Sequence, residues 1–390
     1  MVTLKLALRN LLGAGLRTWL NVIVLSMSYV MIIMMQGLIK GWDKQATRDT
    51  IAWEIGGGQY WHQAYDPFDP FTIIDSHGVP SVSIQDKIQG GELTPILVSQ
   101  ATIYPEGRIQ SILLKGIDPD QKILSIPTES LNAEIDEIPA VIGTRMAKNT
   151  KLSVGNYVTV RWRDVNETFD AAEIKIVGMM KTSVGNIDAG QIWIPINRLQ
   201  EMLQMPGEAT LLVSAREGTT LGSVDGWVFK DLDFLLQDLK QIIQSKSIGQ
   251  SIFFIILLLL AMLAIFDTQV FSIFRRRKEI GTLIALGMTR NRVIRLFTVE
   301  GAMHGILAAL MAVVWGLPLL AWVAGTGWAM PQAADDFGIA LAEKIYPYYS
   351  VGLVVGTTVI VMIAVTIVSF IPTRRIAKLK PTDAIRGKTS

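Results

Sequence analysis

Four apolar runs constrain this chain more than anything else in it: about Thr18 to Ile39, Ser251 to Phe274, Ala302 to Gly325, and Ser350 to Ile371. Each reaches the roughly 20 residues that cross about 30 Å of hydrocarbon. A lone segment satisfies its backbone in lipid only as a helix, so four transmembrane helices are predicted. Of the 390 residues 50% are hydrophobic, yet 18% are charged, which requires a sizeable part outside the bilayer. That part is residues 40–250, long enough to bury a core of its own. The fold class is therefore an α-helical membrane protein with four transmembrane helices and a large α+β extracytoplasmic domain inserted between the first two.

Lys and Arg are retained on the cytoplasmic side of short loops, and their distribution is one-sided. Lys5, Arg9 and Arg17 precede the first run. Arg275, Arg276, Arg277, Lys278, Arg290, Arg292 and Arg295 follow the second, and Arg374, Arg375, Lys378, Lys380, Arg386 and Lys388 follow the fourth. Region 40–250 carries more acidic than basic residues, and the loop after the third run holds Asp335, Asp336 and Glu343 against Lys344. The net charge of +2 hides this segregation. The chain reads as a cytoplasmic interfacial helix (1–17), a first span (18–39), an outer domain with helical stalks (40–250), a second span (251–274), cytoplasmic helices (275–301), a third span (302–325), a short outer loop (326–349), a fourth span (350–371) and a cytoplasmic tail (372–390). Both termini are expected in the cytoplasm. In the N-terminal lead, Leu4, Leu8, Leu11 and Leu12 recur at helical spacing, which suits a helix lying in the interface. With a bilayer-length run behind it and no small-x-small cleavage site, this lead predicts a retained anchor. The absence of Cys excludes disulfides and thiolate metal sites.

Within 40–250, short β-like runs (SILLKGI, YVTVRW, AEIKIVGMM, QIWIPI) alternate with Gly, Pro, Asn and Asp. YVTVRW and EIKIVG predict a hairpin around a polar VNETFDA connection. The segment from VFKDLDF to SIFFII predicts a helix leading into the second span, and LIKGWDKQATRDTIAWEI extends the first, giving two stalks. His62 and His77 lie near Asp66, Asp69 and Asp75, but their spacing matches no helical ligand pair and Pro67 and Pro70 interrupt it; a surface loop is the simpler reading. Tyr60, Trp61, Tyr65, Phe68 and Phe71 read as core packing, with a partner-binding surface as the alternative. Asp267, two turns from the end of the second span, suits helix-helix bonding or reach to the interface, with a proton relay as the alternative. No metal site and no nucleic-acid partner is expected.

After the second span comes RRRKEIGTLIALGMTRNRVIRLFTVEG. Ile280, Leu283 and Ile284 share one helical face, Gly287 suits a left-handed helix end, and Thr289 suits the cap of a second helix. That helix sets Val293, Ile294, Leu296 and Phe297 against Arg290, Arg292 and Arg295. Anionic headgroups explain the charge but not the apolar face.

The pattern R-R-x-E-I-G-x-L-x-A-L-G-M from Arg276 to Met288, Glu300 with Gly301, the ending through Pro372, Arg375, Ala377, Leu379, Pro381, Ala384 and Arg386, and the outer run IPAVIGTRMAKNTKLSVGNYVTVRW resemble the MacB/FtsX-family permeases, the membrane subunits of type VII ABC transporters. Asn156 stands where Asp is usual and Met146 where Leu is usual. The resemblance implies an inner-membrane, non-catalytic subunit, paired with an identical or paralogous permease on a dimer of cytoplasmic ABC ATPases. Arg276, Glu279, Ile280, Gly281, Leu283, Ile284, Ala285, Leu286 and Gly287 would couple to that ATPase, and Arg374, Arg375 and Arg386 would form a second cytoplasmic contact. No cofactor is expected in this chain: ATP and Mg would be bound by the partner ATPase, because the triplet Gly387 to Thr389 has Thr382 where a phosphate loop needs Gly. The run VGMMKTSVGNIDAGQIWIPINRLQEML is most similar to the LolC/LolE branch, which implies extraction of lipoproteins or lipid-linked cargo, with a periplasmic carrier. The alternatives are efflux with a membrane-fusion protein and FtsX-type regulation of cell-wall hydrolases. Met27, Met31, Met34 and Met35 offer an adaptable wall for acyl chains; ordinary lipid-facing packing is the other reading.

Overall fold

The computed structural model describes residues 15–133, 135–182, 185–216, 226–329 and 344–374. These fall into two compact units: the described parts of Met1–Trp42, Ile243–Trp328 and Ile345–Ser390, and those of Asp43–Ile242 and Ala329–Lys344.

The first unit is helical. Among the described residues four helices are long and apolar enough to cross a membrane: α1 (Leu16–Thr50), α2 (Gln237–Arg275), α4 (Arg290–Thr326) and α5 (Val351–Thr373), with the short α3 (Arg277–Ala285) between the second and third of them. At about 1.5 Å per residue, the 35 residues of α1 and the 39 of α2 exceed the hydrocarbon thickness. Leu25, Tyr29, Ile265, Ala308, Ala312, Val361 and Val365 form a core to which all four long helices contribute. In lipid, close packing replaces the hydrophobic drive, and glycines supply it here. Gly301 lies against Ser369 and Gly305 against Met362, one turn apart, while Gly316 lies against Val30. Polar ties cross the bundle as well: Asn21 Nδ2 donates to Thr268 Oγ1 at 2.5 Å, Trp315 Nε1 to Ser26 Oγ at 3.3 Å, and Thr357 Oγ1 to Gln36 Oε1 at 3.2 Å.

The second unit is built on a sheet that has nine strands among the described residues: β1 (Gln59–His62), β2 (Leu93–Ile103), β3 (Gln110–Ile117), β4 (Ile138–Gly143), β5 (Tyr157–Arg163), β6 (Phe169–Met180), β7 (Gln191–Pro195), β8 (Leu211–Ser214) and β9 (Trp227–Lys230). Six of them close on themselves in the order β2-β3-β7-β4-β6-β5 and back to β2. Leu97, Ile112, Leu114, Ile142, Val160, Trp162, Ile174 and Ile192 are buried in one cluster, plugged by Leu199 and Leu203 of the helix Ile196–Leu203. The remaining strands continue from β2 as β8-β1-β9. A five-residue π turn, Ile51–Ile55, follows α1. Its Glu54 carboxylate takes a 2.7 Å bond from Lys115 Nζ of β3 and a 2.9 Å bond from Gln191 Nε2 of β7.

Three local expectations change. The hairpin pairs through to Arg163 opposite Phe169, shortening its connection, because Asp164 Oδ1 accepts the N–H groups of Asn166 and Thr168 and closes a tight turn. The segment read as one helix into the second span begins as β9, which pairs with β1; Asp231 then caps a short helix, Leu232–Leu235, before α2 starts at Gln237. The aromatic cluster divides: Tyr60 is buried against Phe229 and Trp61 meets Tyr65 edge-on, whereas Phe68 and Phe71 are 72% and 84% exposed.

Candidate functional site

The corner between α2 and α4 is organised by one side chain. Arg276 sits at the non-helical junction ahead of α3 (φ −97°, ψ 16°). Its Nε and Nη2 donate to the two oxygens of Glu279 at 2.6 and 2.7 Å, and Nη1 donates to both oxygens of Glu300 on α4 at 2.9 Å. The guanidinium lies 4.7 Å from the Phe297 ring centre. Such a planar fork suits two carboxylates at once. The Glu279 bond, then the Glu300 charge, hold the Arg276 pKa above its ordinary range against partial burial; the same bond holds the Glu279 carboxyl below its own.

Beneath this clamp, Ile273, Ile280, Val293 and Phe297 are buried together, with Leu283, Ile284, Met288 and Ile294 packed against them. The apolar face of α3 therefore turns inward, onto α2 and α4, and Gly281 is buried with it. Gly287 takes φ 91°, the left-handed conformation that lets the chain reverse. Thr289 occupies the position ahead of α4, but its hydroxyl makes no cap bond; its carbonyl accepts from Arg292 and Val293 instead. Outward from α3 and the turn that follows it face Lys278, Glu279, Thr282, Ala285, Leu286 and Gly287, with Leu286 80% exposed. Arg290, Asn291, Arg292 and Arg295 are also exposed, so an apolar tip stands among cations.

Residues 251–381 match the FtsX-like permease C-terminal family, a stretch that contains this whole corner. Over 332 residues the chain is 23% identical to the lipoprotein-releasing system transmembrane protein LolC of Neisseria meningitidis, covering 75% of this chain and 77% of that one. It is 25% identical over 271 residues to an uncharacterized ABC transporter permease of Methanocaldococcus jannaschii, covering 65% of this chain but only 63% of that relative's length. A shorter match, 23% over 197 residues, is to the macrolide export ATP-binding/permease protein MacB of Wolinella succinogenes, covering 50% and 27%. The chain carries an FtsX-like permease domain, and its relatives are permeases of ABC transporters.

Of the residues expected to serve coupling, Arg276, Ile280, Gly281, Leu283 and Ile284 build the corner, and Glu279, Ala285, Leu286 and Gly287 lie on its outer side. Sequence reasoning took Glu300 with Gly301 as part of the family resemblance and missed its bond to Arg276; the signal was an opposite charge within one apolar-flanked loop. The Gly301–Gly305 spacing was also missed, although small-xxx-small is a readable packing pattern. Arg374 lies 5.7 Å from the Phe370 ring, while Arg375 and Arg386, like the lead 1–14 and the triplet at 387–389, are outside the described residues. Met27 is 58% exposed, Met31 and Met35 are half-buried, and Met34 is 8% exposed. The candidate wall narrows to the three on one stripe, because Met34 is turned into the packed unit. Asp267 is exposed on α2, next to the Thr268 that bonds Asn21. His77 pairs with Glu208, His62 stands beside Gly78, and among the described residues no group of three His, Cys, Asp or Glu is placed to hold a metal.

Proposed function

We propose that this permease sits in the inner membrane with both termini cytoplasmic and its sheet unit in the periplasm, docks a separate ABC ATPase dimer on the α3 tip, and uses the stroke to extract lipoproteins or other lipid-linked cargo. The observation that carries this reading is the clamped corner. A tip fixed by Arg276 to two helices passes on a push, whereas a loose loop would absorb it. Leu286 seats in the ATPase, with the cations on the rim and Arg374, Arg375 and Arg386 as a second contact. A second permease, identical or paralogous, completes the pair. Acyl chains leave the bilayer past Met27, Met31 and Met35, and each buried methylene returned to water costs about 0.8 kcal/mol, which calls for a coupled ATPase. The LolC match supports the lipoprotein cargo; the MacB match supports efflux with a membrane-fusion protein as the second reading.

The chain has no Cys, so Leu286→Cys provides a single crosslinking site in the native membrane. The expected result is an adduct with an ABC ATPase, together with ATP-dependent release of acylated protein from the purified complex. An ATPase adduct with a fusion protein and no acylated protein moves the cargo reading to efflux. No ATPase adduct overturns the coupling reading.

A further inference from the structure

A cavity of about 650 Å³ opens in the sheet unit, within the usual range for small-molecule sites of about 300–1,000 Å³. Its origin lies in the strand pairing. β2 pairs with β8 through Leu93–Ile96 and with β5 only through Ala101–Ile103, so Leu97 to Gln100 span a gap where β2 passes from one neighbour to the other. Ile74 and, on the outer face of the sheet, Leu113 are among the apolar residues lining it. Its mouth is edged by Phe71 and Phe169, both largely exposed. The Phe71 loop is held in place: Asp66 Oδ1 accepts from Phe68 N, Asp69 Oδ1 accepts from Phe71 N, and Gln100 Nε2 donates to Pro70 O at 3.2 Å. An exposed aromatic on a fixed loop offers contact area with little ordering entropy left to lose.

The charges around this cavity are compensated with one exception. Arg163 pairs with Glu167 at 2.7 Å, the Asp164 carboxylate accepts from Asn166, Thr168 and Gln204, and His77 pairs with Glu208. Arg161 has no carboxylate partner among the described residues; its guanidinium lies 4.2 Å from the Phe169 ring centre at the mouth. A cation that rests on an aromatic ring beside an apolar cleft suits one ligand chemistry, an alkyl chain ending in an anionic group. We infer that this cavity binds a single-chain anionic amphiphile, with the chain along Ile74, Leu113 and Phe169 and the head group on Arg161. The site is distinct from the α3 corner and stands whether or not the spans move lipid.

The test is photolabelling of the full-length protein in zwitterionic nanodiscs with a diazirine-bearing decanoate, the adducts being mapped by mass spectrometry. Expected are saturable adducts on peptides containing Phe71, Ile74, Leu113 or Phe169. They should fall about tenfold in Arg161→Gln, as for loss of a charged hydrogen bond, and disappear in Ser111→Trp, which fills the cavity from an exposed strand position. Adducts on α2 and α5 should persist in both variants and report intact protein. Arg163→Gln, whose charge is already paired, should label normally. Adducts confined to the spans, sheet-unit adducts indifferent to Arg161→Gln, or equal labelling by a diazirine-bearing alkyl trimethylammonium would each overturn the assignment.

Discussion

In the sheet-rich unit six strands pair around a closed ring, so each has a neighbour on both sides. In the helical unit the corner between α2 and α4 is tied by one guanidinium over a small apolar cluster. The first arrangement spreads a local loss over many pairings and a continuous interior. The second concentrates it, so that few contacts decide the geometry of the tip. The sheet unit is thus a body that holds its shape, and the corner is a joint whose geometry depends on one residue.

The largest expected effect would test the ring. Ile142 is fully buried inside it, and Ile142→Ala should cost about 2–5 kcal/mol. Hydrogen exchange should show faster opening of β4 and β7 with unchanged protection in α3 and α4; equal loss in both units would break the contrast. Next comes the joint. Arg276→Met leaves Glu300 without its charged partner and should cost about 1–3 kcal/mol, while Arg276→Met with Glu300→Gln should recover part of it. Thermal unfolding of the two single variants and the double gives the coupling, and strict additivity would show that the corner is not held by this pair. The smallest effect is on pH. The Glu279 carboxyl is held below its ordinary value, so its contribution is present above the unfolded value near 4.3 and is lost as pH falls through the lower folded value. A spin-label distance between α3 and α4 should lengthen in that acid window, and Glu279→Gln should remove the dependence.

Much of the architecture was legible because it is local. Bilayer-length apolar runs need no partner to declare themselves, and the alternation in YVTVRW and EIKIVG marks strands by period alone. Ring closure is not local: β3 pairs with β7 and β4 with β6 across long intervals, and no single segment records it. The β9 segment was misread because VFKDLDFLLQDL carries helical spacing in its second half, while β1 takes its first half as an edge partner. At the corner, the apolar face of α3 was visible as periodicity, but its destination was not. Ile280 packs inward because Val293 and Phe297, a turn and a helix later, complete its surroundings.

The π turn after α1 adds a mechanical consequence. Glu54 holds Lys115 and Gln191 together, and these belong to β3 and β7, which run side by side in parallel register. A load applied at Glu54 along those strands is therefore shared by two paired strands, and the ring resists it through both rather than through one.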